Sequence, residues 1–255
     1  RQGCSNSFRS PQESPKRIMI KDKFNRSFKD LRVSVTDRCN FRCSYCMPAE
    51  IYGERYQFLP RKDLLSFEEI TRLVRICVGL GSTKIRLTGG EPLVRSDIEE
   101  LVSRLASINS LKDLAMTTNG YMLAEKVDAL KDAGLHRLTI SFDTLDEDVF
   151  KEMSGRNFSS KKVLAGIDAA ERAGYKPIKI NVVVKRGVNE HTILDLARYF
   201  KERGHIARFI EFMDVGTINK WSLDHVVSAG EIFEIINNEL PIEPVEGNYP
   251  GEVAL

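Results

Sequence analysis

Three cysteines lie close together in the sequence, as Cys39, Cys43 and Cys46 with the spacing C-x3-C-x2-C. A structural zinc site uses four protein ligands and closes the metal off from other ligands. Three thiolates can instead hold a cubane [4Fe–4S] cluster and leave one iron open, and an open coordination position is where chemistry can occur. The motif therefore predicts an iron–sulfur centre with a reactive iron, in which these cysteines are both the metal ligands and the catalytic residues.

The composition is typical of a soluble globular protein. Of the 255 residues, 42% are hydrophobic and 29% are charged, which suits one large α/β domain. The net charge of +2 gives no reason to predict nucleic-acid binding, and no apolar run has the length of a membrane span. The five cysteines are odd in number and three are clustered, so a reduced, cytoplasmic compartment fits better than a disulfide framework.

The two ends of the chain are expected to differ from its middle. Residues 1–23 are rich in Ser, Pro, Lys and Arg and predict a flexible N-terminal tail, in which Cys4 has no assigned role. If this basic tail is the remnant of a transit peptide, the alternative compartment is the mitochondrion. Cys77 lies at helical spacing from apolar residues and fits a buried structural thiol.

Strand and helix patterns alternate from Leu31 onward. The candidate strands are 31–36, 84–88, 113–118, 137–142, 178–184 and 207–212, and the candidate helices are 66–80, 97–108, 123–133, 160–173, 190–203 and 228–240. Ser66 with Glu69, and Ser96 with Glu99, match the capping box of a helix start. Six βα units imply a parallel sheet but are too few for an eight-stranded barrel. We therefore predict an α/β fold, an open partial (β/α)6 TIM-like barrel over residues 24–240.

Several strands alternate polar with apolar residues. Polar side chains that share a strand face are Arg32, Ser34 and Thr36; Lys84, Arg86 and Thr88; Thr139, Ser141 and Asp143; and Lys179, Asn181 and Lys185. If the apolar faces pack under the helices, the polar faces line a cationic interior that suits an anionic ligand. The alternative, an antiparallel sheet with one solvated face, is disfavoured by the helical segments between the strands.

Polar motifs recur where the strands end. They are Thr88-Gly89-Gly90-Glu91-Pro92, Thr117-Thr118-Asn119-Gly120 and Ser141-Phe142-Asp143. Alone, each is typical of a turn or a cap. Their occurrence at successive strand ends favours a site, because barrel enzymes place their chemistry on the loops that follow the strands.

The cysteine motif followed by Gly-Gly-Glu-Pro resembles the radical S-adenosylmethionine (SAM) superfamily. The sequence Thr36–Pro48 resembles more closely the signature of the GTP 3′,8-cyclase (MoaA) family, which acts first in molybdenum cofactor biosynthesis. The supporting matches are 84–95, 117–120, 141–145, 181–183 and 208–213. The resemblance extends from about Asp22 to the end of the chain and implies a partial barrel of the radical SAM type.

The resemblance also implies roles for individual residues. Cys39, Cys43 and Cys46 would hold the first cluster, whose open iron binds SAM. The implied SAM-binding residues are Tyr45, Gly90, Glu91, Ser141 and Met213, and the implied GTP-binding residues are Arg32, Lys84, Arg86, Thr117, Lys179 and Arg208. The cluster would take an electron from an external one-electron reductant and cleave SAM, and the resulting 5′-deoxyadenosyl radical would abstract the 3′ hydrogen of GTP. A homodimer, and cyclic pyranopterin monophosphate synthase as the next pathway enzyme, are the implied partners.

The sequence departs from this family in one respect. The family holds a second [4Fe–4S] cluster on three cysteines near its C-terminus, whereas no cysteine follows Cys77 here. We therefore expect residues 241–255 to begin a C-terminal region that lacks its second-cluster motif, and the chain to be C-terminally truncated.

Two other functions remain open on the sequence. One is a different radical SAM enzyme, such as a peptide-modifying one. The other is a non-catalytic zinc-binding scaffold that recruits a fourth ligand from one of four histidines, which are His136, His191, His205 and His225.

Overall fold

A single six-stranded sheet forms the centre of the molecule. The structure is a computed structural model that describes residues 20–215 and 218–245, so Cys4, most of the expected tail and residues 246–255 lie outside the described part. The strands are β1 (Asp30–Ser34), β2 (Lys84–Thr88), β3 (Asp113–Thr118), β4 (Arg137–Ser141), β5 (Lys179–Val184) and β6 (Ile206–Glu211). Their spatial order follows the sequence, and all five pairings are parallel. The predicted partial barrel is confirmed, and the antiparallel alternative is wrong.

Helices connect the strands. They are α1 (Phe67–Gly79), α2 (Ile98–Ala106), α3 (Leu123–Asp132), α4 (Glu147–Ser154), α5 (Ser160–Arg172), α6 (Ile193–Glu202) and α7 (Ala229–Asn237). The capping box at Ser66 and Glu69 is confirmed. The one predicted at Ser96 is wrong, because Asp97 adopts a left-handed conformation (φ 57°) and α2 begins after it. None of the helices in the described ranges has the length and apolar character that a bilayer span requires.

Helix α4 was not predicted from the sequence. It has only 8 residues, and the apolar ones buried on it are Phe150 and Met153. A helix of two turns is too short for its apolar residues to reveal the helical period. The sequence feature that marks this helix is instead its N-cap residue, Asp146. The side chain of Asp146 accepts hydrogen bonds from the N–H groups of Asp148 and Val149, which fixes the start of the helix.

The two faces of the sheet differ as the alternation predicted. The outward strand residues are buried in the core beneath the helices, and they include Ile85, Leu87, Leu114, Met116, Leu138, Ile140, Ile180 and Val182. Paired residues of parallel strands share a face, so the register sets the polar side chains in rows on the other side. Arg32 lies beside Arg86. Thr117, Thr139 and Lys179 form one row, and Ser141, Asn181 and Arg208 form another.

A short turn precedes β1. Lys21 pairs with Ser27 in an isolated antiparallel bridge, and Asp22 Oδ1 accepts hydrogen bonds from the N–H groups of Phe24 (2.9 Å) and Arg26 (3.0 Å). Residues 20–23, assigned to the tail on composition, therefore form part of this turn or lie directly beside it.

Candidate active site

The cysteine loop follows β1 directly, at the end of the sheet where the other polar motifs lie. Cys39 and Cys43 are half-buried, Cys46 is exposed, and all three are free thiols. The N–H groups of Cys46 (3.0 Å) and Met47 (2.9 Å) donate to the carbonyl of Cys43, which makes a tight turn. Burial raises the pKa of the Cys39 thiol to about 11, and the neighbouring charges of Glu91 and Cys46 act in the same direction. The three thiols therefore lie on one short, turned loop, and their joint role as cluster ligands stays a prediction.

The three unbridged thiols on this loop, Cys39, Cys43 and Cys46, are too few by themselves to complete a structural zinc site. A mononuclear zinc site needs four such ligands around one point. A cubane spreads its thiolates around a larger body, so three neighbouring, unbridged thiols on one loop suit it. Cys39, Cys43 and Cys46 are the residues that could hold it.

Two hydrogen-bond donors approach the sulfur of Cys39. The backbone N–H of Phe41 lies 3.4 Å from Sγ, and the side-chain amide of Asn119 lies 3.9 Å from it. The same amide donates to Asn40 Oδ1 at 2.7 Å, which joins the end of β3 to the cysteine loop. The sequence pointed to the Thr-Asn-Gly motif but not to this role of Asn119.

Gly90 lies where the end of β2 approaches the cysteine loop most closely. Its N–H donates to the carbonyl of Thr36 at 2.7 Å. A Cβ atom at this position would lie 2.3 Å from the carbonyl oxygen of Arg38, so only glycine fits. The two loops are therefore in backbone contact.

Glu91 is buried between the ends of β2 and β3. Its Oε1 accepts from Thr118 Oγ1 (2.6 Å) and from the N–H of Leu93 (3.0 Å), and its Oε2 accepts from the N–H of Asn119 (2.7 Å). Burial raises the pKa of Glu91 to about 7, although these hydrogen bonds act to lower it. Because both oxygens have protein partners, the carboxylate holds the two strand ends together.

Tyr45 connects the cysteine loop to the other side of the barrel. Its hydroxyl donates to Asp143 Oδ2 at 2.7 Å, and its carbonyl accepts from the side chain of Asn219 at 3.2 Å. The Asn219 amide also donates to the carbonyl of Met213 at 3.0 Å, while the Met213 side chain is 55% exposed. Ser141 lies half-buried at the end of β4. Sequence reasoning missed Asn219, for which no motif gave a signal.

Positive charge accumulates on the inner face of the sheet. Burial lowers the pKa of Arg86, and the nearby charges of Arg208, Arg32 and Arg137 lower it further. Arg137 pairs with Asp113. Among the described residues, no carboxylate forms an ion pair with Arg32, Arg86 or Arg208. Asp30 opposes this effect at Arg86, but the cations outnumber the acids near it, so this face suits a multiply charged anion.

The predicted substrate residues lie on this one face. Lys84 is beside Arg86 along β2, and Thr117 and Lys179 lie in the row described above. In the part of the chain that the structure describes, Thr117 Oγ1 and Asn181 Oδ1 are buried without a hydrogen-bond partner. Asn181 lies between Ser141 and Arg208 in the register and was not among the predicted site residues.

Comparison with known proteins agrees with this geometry. Residues 33–200 match the family model of the Radical SAM superfamily. The chain is 52% identical over 235 residues to the GTP 3′,8-cyclase of Acidothermus cellulolyticus, covering 92% of this chain and 65% of that protein. It is 48% identical over 235 residues to the GTP 3′,8-cyclase of Staphylococcus carnosus, covering 92% and 69% of the two chains. The chain belongs to the GTP 3′,8-cyclase family of radical SAM enzymes.

The chain spans about two thirds of the length of these cyclase relatives. Among solved structures it resembles methylornithine synthase (PylB), with a TM-score of 0.63 and 18% identity over 84% of this chain and 63% of that one. It also resembles Streptococcus suis SuiB bound to S-adenosylmethionine, with a TM-score of 0.60 and 20% identity over 78% and 45% of the two chains. At these identities the structural likeness supports the radical SAM fold alone.

Proposed function

We propose that this chain provides the radical-generating and GTP-binding core of a GTP 3′,8-cyclase, which makes (8S)-3′,8-cyclo-7,8-dihydroguanosine 5′-triphosphate for molybdenum cofactor biosynthesis. One observation carries the proposal. The loop that carries three free thiols contacts Gly90 through the backbone of Arg38, at the carboxyl ends of the strands. The inner face of the same sheet carries Arg32, Arg86 and Arg208, none of which forms an ion pair with a carboxylate among the described residues. A site that generates a radical therefore adjoins a site suited to a triphosphate.

The residues proposed to bind the cluster and SAM lie at the carboxyl ends of the strands and on the loops that follow them. Cys39, Cys43 and Cys46 would hold a [4Fe–4S] cluster, which would supply one-electron reduction of SAM. The amino-acid end of SAM would bind at the Gly90 turn, where the absence of a side chain permits close approach. The Glu91 side chain stabilises that turn through the hydrogen bonds it accepts from the N–H groups of Leu93 and Asn119. The proposed contacts to the rest of SAM come from Tyr45, Ser141 and Met213, and the hydrogen bond from Tyr45 to Asp143 orients the first of them.

The substrate side uses the inner face. Arg32, Arg86 and Arg208 form charge-assisted hydrogen bonds to the phosphates, since guanidinium groups match phosphate oxygens in geometry. Lys84 and Lys179 add charge, and the buried hydroxyl of Thr117 gains a partner from the nucleotide. The role of these residues is to fix GTP with its ribose towards the cysteine loop and to exclude water.

The proposed partners follow from the reaction. An external one-electron reductant supplies the electron, and cyclic pyranopterin monophosphate synthase consumes the product. We also propose a homodimer.

Anaerobic reconstitution with iron and sulfide tests the proposal. We expect one [4Fe–4S] cluster per chain, 5′-deoxyadenosine formation after addition of dithionite and SAM, and binding of GTP in preference to a peptide. Zinc binding without iron and sulfide would support the scaffold alternative and overturn the proposal. Cluster-dependent SAM cleavage with peptide binding and no GTP binding would favour a peptide-modifying enzyme.

A further inference from the structure

Arg42 lies inside the cysteine motif, between the first and second thiols, and its side chain turns inward. The residue is only 9% exposed. Its Nη1 donates to the carbonyls of Cys39 (2.7 Å) and Phe41 (2.7 Å), and its Nε donates to the carbonyl of Tyr52. One guanidinium group therefore fixes three backbone carbonyls, two of which belong to the segment that carries the thiols.

Other contacts hold Arg42 itself in place. Its guanidinium lies 5.5 Å from the centre of the Phe58 ring, at cation–π distance. Its backbone N–H donates to the carbonyl of Ser154 at 2.8 Å, at the end of α4. A Cβ at Gly155 would lie 2.1 Å from the Arg42 carbonyl oxygen, so α4 and the cysteine loop are in backbone contact here. The Arg42 side chain is therefore held by contacts with the protein and is largely shielded from solvent.

The charge of Arg42 is not neutralised locally. Among the residues that the structure describes, no carboxylate forms an ion pair with it. A second cation, Arg156, acts electrostatically on Arg42 and donates from its Nε to the carbonyl of Asn40 at 3.3 Å. The buried guanidinium of Arg42 is therefore surrounded by backbone carbonyls rather than by a carboxylate, and it keeps its positive charge next to the thiol loop.

We propose that Arg42 is a positioning residue for the cysteine loop, and that its buried positive charge makes the bound iron–sulfur cluster easier to reduce. The inference rests on the proposed function. Three thiolates on a [4Fe–4S] core give a net negative site that gains one more negative charge on reduction. A fixed cation beside it stabilises the reduced form more than the oxidised form, which raises the reduction potential.

Variants of Arg42 can distinguish its role in positioning the cysteine loop from the effect of its charge on the reduction potential. Reconstituted wild-type protein, Arg42→Lys, Arg42→Met and the control Arg55→Met are compared without SAM, since Arg55 is an exposed arginine in the segment that follows the thiols. The measurements are iron and sulfide content, the rate of iron loss to a chelator, and the midpoint potential from a redox titration followed by electron paramagnetic resonance. We expect Arg42→Met to shift the potential to more negative values. We expect Arg42→Lys to keep a potential near that of the wild type but to lose iron about tenfold faster, because the single nitrogen of lysine cannot occupy the positions of both Nε and Nη1, from which Arg42 reaches the three carbonyls.

The two roles of Arg42 are overturned by different results. An unchanged potential in Arg42→Met at equal cluster content overturns the role of the charge, and iron loss from Arg42→Lys at the wild-type rate overturns the positioning role. If Arg42→Met takes up no cluster, Arg42→Gln removes the charge while retaining a donor, and the potential is compared with that of Arg42→Lys. Absence of a [4Fe–4S] cluster from the wild type would instead refute the proposed function.

Discussion

The hydroxyl of Tyr45 donates a hydrogen bond to Asp143 Oδ2 at 2.7 Å, across a separation of 98 residues in the sequence. The other oxygen of this carboxylate accepts from the N–H of Val183 at 2.8 Å; Asp143 is buried and Tyr45 is half-buried. The bond therefore joins the cysteine loop after β1 to the ends of β4 and β5, across the mouth of the partial barrel.

Replacing Tyr45 by phenylalanine should weaken the fold at this point. The change removes the donor and leaves Asp143 Oδ2 without its partner in a buried place, which costs about 1–3 kcal/mol. Urea denaturation of the metal-free protein measures the loss in the free energy of unfolding. Tyr56→Phe is the matched control because Tyr56 is 42% exposed, and its effect should stay within about 0.5 kcal/mol. Equal losses in the two variants would contradict the prediction.

Glu91 should make the stability of the metal-free protein depend on pH. Burial raises the pKa of Glu91 in the folded state from its ordinary value of 4.5 to about 7, so the stability linked to its neutral form is fully present below pH 4.5 and is lost as the pH rises through 7. A shift of this size corresponds to up to about 3 kcal/mol. The wild type should therefore lose more stability than Glu91→Gln between pH 5 and pH 8 in urea titrations.

The control for this measurement is Glu54→Gln, which alters an exposed carboxylate near the cysteine loop. It should retain the wild-type pH dependence. If the free energies of unfolding of the wild type and Glu91→Gln change in parallel over the same range, Glu91 does not titrate as its burial requires.

Gly90→Ala should disrupt the site, whereas Gly79→Ala should not. A Cβ at Gly90 meets the backbone of Arg38 at 2.3 Å, so the end of β2 and the cysteine loop must separate. At Gly79, the last residue of α1, nothing lies within 4 Å, and alanine should stabilise the helix by roughly 0.5–1 kcal/mol. Calorimetric titration with SAM and thermal unfolding measure the two effects. Wild-type affinity for SAM in Gly90→Ala would refute the close approach as a requirement for binding.

Arg86→Gln should weaken triphosphate binding without destabilising the ligand-free protein. The variant loses a charge-assisted contact and, in the absence of ligand, relieves repulsion from Arg32 and Arg208. We expect GTP affinity to fall about tenfold or more, with the melting temperature of the free protein unchanged or higher. Equilibrium dialysis and thermal unfolding test this, with the exposed Arg75→Gln on α1 as control. A lower melting temperature with unchanged affinity would show that Arg86 is structural.

The sequence by itself determined the order of the strands and singled out three clustered cysteines as candidate ligands. The repeated strand and helix patterns predicted the parallel sheet. The alternation within strands such as Lys84–Thr88 predicted its charged face, since a strand must turn alternate residues to opposite sides. Gly90 and the cysteines were recognisable because their chemistry depends on residue type and short spacing. Helix α4 was not predicted because its two turns are too short to show a helical period. The cap predicted at Ser96 was wrong because Asp97 takes a left-handed conformation.

Only the tertiary structure decided which side chains fix the site. The contacts of Glu91 with Thr118, of Tyr45 with Asp143 and of Asn219 with Tyr45 join segments separated by 27, 98 and 174 residues. Such contacts depend on how strands twist and loops meet, and no local pattern encodes a partner at that separation. The role of Arg42 also could not be predicted from the sequence. The residue lies inside the cysteine motif, but its guanidinium donates hydrogen bonds to three backbone carbonyls only because of how the loop folds.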